Sequence, residues 1–191
     1  MNDPQRFGNA IKSIARAYLF LHLNINLGTL NILPSWVGYI WIFGALPIIA
    51  EEEDAARLLR PLAVILGLWE GFLWVVQLFG LSYSPYLLTI IAEIIELYFH
   101  FQLLTNLASI AERYEYPERK KLLTLRTVRT LMVTALVLPF PWEQYTAVTI
   151  VVLIAHAIVA FWICAVLYSL RRSVLGENHG IIYCDTEDEQ Q

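Results

Sequence analysis

Apolar residues fall in six long runs separated by short polar gaps. A membrane-spanning helix needs about 20 mostly apolar residues. On that measure the runs predict helices over residues 9–27, 35–50, 61–79, 85–112, 120–138 and 142–170. Punctuation agrees with these cuts. Pro34, Pro85 and Pro141 sit at the starts of alternate helices, where a missing N–H costs nothing. Pro61 and Pro117 open the others, and Gly28 and Gly80 are placed to cap the first and third. The expected fold class is all-α: an integral membrane bundle of six transmembrane helices. It forms one domain over residues 1–172, followed by an acidic tail, 173–191, expected to be disordered.

The charges orient the bundle. All 13 Lys and Arg residues fall at one set of gaps. The first group is Arg6, Lys12 and Arg16, followed by Arg57 and Arg60. The third is Arg113, Arg119, Lys120, Lys121, Arg126 and Arg129, and the last is Arg171 and Arg172. The alternate gaps, near residues 26–35, 80–86 and 139–144, hold none. Cytoplasmic loops favour Lys and Arg, so both termini are expected in the cytoplasm. Trp36, Tyr39, Tyr83, Tyr86, Trp142 and Tyr145 then mark the outer interface, and Tyr114, Tyr116 and Tyr168 the inner one. The first helix reads as a retained anchor, not a cleaved signal. At 58% hydrophobic and 16% charged, the composition is that of a membrane protein. A net charge of −4 argues against a nucleic-acid partner. The two cysteines, Cys164 and Cys184, suggest no disulfide framework.

Seven ionisable side chains lie deep inside the predicted spans. Counting inward at about 1.5 Å per residue puts Arg16, Glu70, Glu96 and Arg129 roughly 15–17 Å below the outer surface, near the midplane. Glu93 lies one turn above this layer, and His100 one turn below it with His156. Helical spacing aligns Glu93, Glu96 and His100 on one face. Charges at that depth are expensive and usually face the bundle or a wet cavity. The expected arrangement is a buried network in which Arg16 and Arg129 offset Glu70, Glu93 and Glu96. It reads either as a register-fixing ion-pair network or as a polar cavity for a small charged solute or protons. Glu93, Glu96, His100 and His156 could instead ligate a metal, though their spacing matches no known signature.

Other features carry less. Residues 24–34 are apolar but broken by three Asn, Thr and Gly, which suits an outer loop or a re-entrant segment, with His22 near its entrance. Ala63, Gly67 and Gly71 form a small-residue stripe suited to close helix packing. The acidic run 51–54 is expected to be solvated. Glu52-Glu53-x-x-x-Arg57 matches one element of the CAAX-type intramembrane proteases, but the companion F-x-x-x-H element is missing. No serine, zinc or P-loop motif is present, so the reading leans away from an enzyme and calls for no cofactor.

The run Asn26-Leu-Gly-Thr-Leu-Asn-Ile-Leu-Pro-Ser-Trp-Val-Gly-Tyr39 resembles a signature of a family of small multi-pass bacterial membrane proteins with no assigned activity. That resemblance implies a bacterial cytoplasmic membrane. In size and topology the chain is also similar to the substrate-binding subunits of energy-coupling-factor transporters, in architecture only. Two functions are therefore expected. One is transport or binding of a small charged solute, ion or proton through Arg16, Glu70, Glu93, Glu96, His100 and Arg129. The other is a non-catalytic sensor or scaffold that meets lipid or a membrane-protein partner through Arg119, Lys120 and Lys121, with the buried charges structural.

Overall fold

The computed structural model describes residues 3–22, 26–27, 30–31, 34–81, 85–137 and 142–176. Six helices carry the fold: α1 (Pro4–His22), α2 (Ser35–Glu52), α3 (Leu59–Leu78), α4 (Tyr86–Arg113), α5 (Glu118–Val137) and α6 (Thr146–Val174). A short 3-10 turn, Asp54–Leu58, leads into α3, and another, Trp142–Tyr145, leads into α6. The α1–α2 connection contains two strands of two residues each, β1 (Asn26–Leu27) and β2 (Leu30–Asn31). They pair antiparallel in the register Asn26↔Asn31 and Leu27↔Leu30. The fold is all-α apart from this pairing. Three segments are long and apolar enough to cross a membrane: Asp54–Leu78, α4 and Ala147–Val174.

Several ends follow directly from local chemistry. The Asp3 carboxylate accepts the Arg6 backbone N–H at 3.0 Å, and Pro4 fills the first helical position. This Asp–Pro start places α1 earlier than expected, from Pro4 to His22 instead of 9–27. Gly28 therefore does not follow the helix end, and its structure lies outside the described residues. The α3 end is a Schellman motif: Gly80 has φ +67, its N–H bonds the Gln77 carbonyl, and the Leu81 N–H bonds Val76. The α4 end repeats the motif with a non-glycine residue. Glu115 has φ 57, its N–H bonds Glu112, and the Tyr116 N–H bonds Ala111 at 2.7 Å.

The helices pack as a closed ring. Each touches its chain neighbours, from α1 on α2 through to α5 on α6, and α6 returns to α1. The α1–α2 crossing is close: a Cβ added at Gly38 would lie 2.9 Å from Leu21 Cγ and 3.1 Å from the Ala17 carbonyl oxygen. The end of the ring where α1 starts and α6 finishes is the proximal end, and the opposite end the distal one.

Burial divides every helix at one level. The last fully buried residue going distally is Tyr18 in α1, Leu66 in α3 and Arg129 in α5. Coming from the distal end, burial begins at Gly38 in α2, Phe99 in α4 and Val159 in α6. The apolar core therefore fills the proximal half alone. Beyond it, α3, α4 and α6 continue for about 18–20 Å at 1.5 Å per residue. No described residue there is fully buried.

The proximal end is tied by polar contacts. Glu51 pairs with Arg6 at 3.0 Å. Glu53 pairs with Arg113 at 3.2 Å and accepts the Ser109 hydroxyl at 3.1 Å. The Tyr114 hydroxyl donates to Glu52 at 2.7 Å, and the Arg113 guanidinium donates to the Glu52 carbonyl. The acidic run expected to be solvated thus pins α2 to α1 and α4, because long Arg and Tyr side chains reach it from both neighbours. Only Asp54 turns outward, pairing locally with Arg57 at 3.2 Å. Between α5 and α6, the buried Glu118 accepts the Ser169 and Ser173 hydroxyls at 2.7 and 3.0 Å.

Candidate functional site: the polar layer at the core boundary

The level at which burial stops is also where the polar side chains gather. Arg129 on α5 is 2% exposed, and its Nη2 donates to Glu96 Oε1 on α4 at 3.1 Å. The same carboxylate oxygen lies 3.7 Å from Nε2 of His100, one turn further along α4 and fully buried. His100 Nδ1 is 3.0 Å from the Tyr18 hydroxyl of α1. A chain of contacts thus runs Arg129–Glu96–His100–Tyr18 across the ring. Tyr18 stacks on His22, with ring centroids 5.6 Å apart, and His22 lies 5.2 Å from His156 of α6. Tyr39 of α2 completes the layer, its ring 6.4 Å from that of His100.

Five of the six expected site residues meet here, to different degrees. Glu96, His100 and Arg129 are in direct contact. Glu93 follows Glu96 one turn distally and is half-buried. Glu70 of α3 is half-buried too, with the Ser35 side chain as its hydrogen-bonding neighbour. Arg16 does not belong to the network: it is exposed, on the side of α1 opposite Tyr18. The buried stripe of α1 runs through Phe7, Ile11, Ile14 and Tyr18. At 100° per residue, Arg16 falls about 160° from Tyr18. Two arginines therefore do not offset three carboxylates; of the three, Arg129 pairs with Glu96.

Tyr18, Tyr39 and His22 were not among the expected site residues. Tyr18 and His22 share a helical face at i and i+4, which is the available signal. It is weak, because an aromatic stripe at that spacing reads first as core. Among the described residues, no three metal-ligating side chains converge to hold an ion. Glu96 pairs with Arg129 at 3.1 Å.

Some polar atoms of the layer lack partners. Arg129 Nε, His100 Nε2, His156 Nδ1 and Trp36 Nε1 are buried without a hydrogen bond. Buried groups of this kind call for explanation, since each forgoes roughly 1–3 kcal/mol of solvation. Atoms of the same kind also occur in the proximal half, at Asn106, Glu118 and Arg126, so they do not set this level apart.

The chain matches no family model, no curated protein and no solved structure.

Proposed function

We propose that this protein binds a small charged solute, as a transporter or a solute-binding membrane subunit, in a distal cleft floored by the polar layer. One observation carries the reading. Full burial ends in all six helices at the level of Glu96, His100 and Arg129, and α3, α4 and α6 extend well beyond it. A register-fixing ion pair has no need of open helix ends above it, whereas a binding site needs an approach. In this reading all six helices cross the membrane. The basic proximal end is cytoplasmic, with both termini, and the cleft opens to the outside.

Cysteine labelling tests the cleft. With Cys164 and Cys184 replaced by Ser, Ala92→Cys places a thiol one turn distal of Glu96. Ile94→Cys places one on the exposed outer face of α4, and Ala108→Cys one in the core. A membrane-impermeant maleimide added outside intact cells should label position 92 and spare 94, which faces lipid, and 108. Labelling of 94 with 92 protected would remove the cleft.

A second reading rests on Lys120 and Lys121, both exposed at the proximal end. Arg119 beside them is engaged by Glu112 at 3.0 Å. Two exposed lysines suit contact with anionic lipid.

A further inference from the structure

We infer that the outer face of the α1–α2 seam holds an anionic phospholipid of the proximal leaflet. Its phosphate sits on a basic stripe of α1, and an acyl chain lies along the apolar face of α2. The inference shares one premise with the cleft reading, that α1 crosses the membrane with its start in the cytoplasm. It is independent of what the cleft holds.

The two faces follow from the sequence. At 100° per residue, Arg6, Asn9, Lys12, Ser13 and Arg16 fall within about 120° of one another. They lie on the side of α1 away from the buried Phe7, Ile11, Ile14 and Tyr18. Arg6, Asn9 and Arg16 are exposed, and Lys12 and Ser13 are half-buried. This polar stripe is what keeps α1 from being apolar enough to cross a membrane on composition alone. The neighbouring α2 is the reverse, with no charge between Ser35 and Ala50.

A groove of about 550 Å³ runs between the two faces. Arg6, Asn9 and Ser13 form one wall, and Trp41, Gly44 and Ile48 the other. Two contacts bridge the walls. Arg6 reaches Glu51 at 3.0 Å toward the proximal end, and the Phe20 and Trp41 rings meet edge-on at 4.6 Å toward the distal end. Between them the floor is open: a Cβ added at Gly44 would meet nothing within 4 Å. A hydrogen-bonding wall opposite a hydrocarbon wall fits the part of a lipid where headgroup gives way to chain.

Charge selects the headgroup. The Asp3 carboxylate caps α1, and Glu51 is taken by Arg6. Among the described residues, Lys12 and Arg16 have no ion-pair partner. Arg16 stands two residues from Tyr18, at the level of the polar layer but facing away from it. In a crossing α1 it faces lipid, where an unpaired charge is expensive. Helical Cα–Cβ bonds tilt toward the helix N-terminus, which for α1 is the proximal end. The long Arg16 side chain therefore leans back over Ser13 toward the headgroups. A phosphate seated in the groove meets the guanidinium there and can accept two parallel hydrogen bonds from it. An anionic headgroup neutralises the unpaired cations, whereas a zwitterionic one brings a cation of its own.

Native mass spectrometry of the full chain tests the site, in detergent with equal amounts of phosphatidylglycerol and phosphatidylcholine of identical acyl chains. The wild type should retain one phosphatidylglycerol in preference to phosphatidylcholine. Arg16→Gln, at an exposed position, should cut that preference about fivefold. Gly44→Phe, which fills open space in the groove, should release the lipid. Lys120→Gln with Lys121→Gln should leave it bound, which separates this site from the lysines of α5. Equal retention of the two lipids, or an unchanged preference in Arg16→Gln, would overturn the site. The shared premise has its own readout: a nitroxide on the Gly44→Cys variant, with Cys164 and Cys184 replaced by Ser, in vesicles of the same two lipids. Oxygen dissolved in the bilayer should relax it, and a water-soluble nickel chelate should not. Relaxation by nickel would put this face of α1 and α2 in water and remove the premise. Relaxation by oxygen without a lipid preference would remove the site alone.

Discussion

The Glu96 carboxylate faces two neighbours at once, Arg129 at 3.1 Å and His100 at 3.7 Å. Removing one partner of a buried ion pair costs more than the pair contributes, because a charge is left behind without compensation. Arg129→Leu should therefore destabilise the protein by about 3 kcal/mol, at the low end of the range for buried pairs because Glu96 is partly exposed. Adding Glu96→Leu should restore most of that loss. Thermal unfolding of the single and double variants in detergent checks this, and an unchanged midpoint for Arg129→Leu would sink it. At the proximal end, the hydrogen bond that Tyr114 donates to Glu52 holds its phenol above the ordinary value of 10.0, with burial adding to the shift. The protonated form is the one stabilised by folding. Stability from this bond is complete below pH 10.0 and lost as pH rises through the folded-state value. Tyr114→Phe should remove that alkaline loss, read as stability against pH around tyrosine ionisation; superimposable profiles would rule the bond out as its source. The individual residues were unevenly legible. Glu96, His100 and Arg129 stood out because ionisable groups at the midplane are costly and few. Arg16 was misplaced because depth was counted and helical face was not. The Phe7–Ile11–Ile14–Tyr18 stripe already turned it outward.

Helices as units were legible wherever a long apolar run met a proline or glycine stop. The expected 35–50, 61–79, 85–112 and 120–138 fall within two residues of α2 through α5 at each end. The first helix shifted because its start is written in polar residues, Asp3–Pro4, which an apolar-run search skips. The sixth began later because Trp142–Tyr145 winds as a 3-10 turn. How the helices terminate is subtler. At the α4 end, Glu115 takes a left-handed conformation that glycine adopts freely and that costs other residues roughly 1–2 kcal/mol. Glu115 is exposed and, among the described residues, its side chain bridges nothing, so Glu115→Gly should stabilise the protein by about 1 kcal/mol. A lowered thermal midpoint would show that the Glu115 side chain holds the turn in a way its geometry does not reveal.

At the scale of the whole molecule, two halves of one bundle do different work. The proximal half is a packed apolar core, closed below by the Glu51, Glu52, Glu53 and Glu118 contacts. The distal half offers helix length without full burial. The sequence marks the helices and the basic end, because hydropathy and charge are local properties of the chain. It does not mark where the core stops. That boundary depends on how six helices meet, and Leu66 and Leu68 look alike in the sequence although only Leu66 is buried. That α1, α2 and α5 also cross the membrane belongs to the proposed reading, which draws it from the charge pattern.

The ring has a consequence for how the protein is made. Five of its six seams join helices that emerge one after the other, so each can form soon after its second member is synthesised. The sixth joins α1 to α6, with Gly8 packed against Leu175 and Cys164 donating to the Ala15 carbonyl at 3.4 Å. The first helix must wait, one face unpartnered, until the last arrives. His156 reaches His22 only then, so the polar layer stays incomplete in every nascent chain and is finished in the same step that closes the fold.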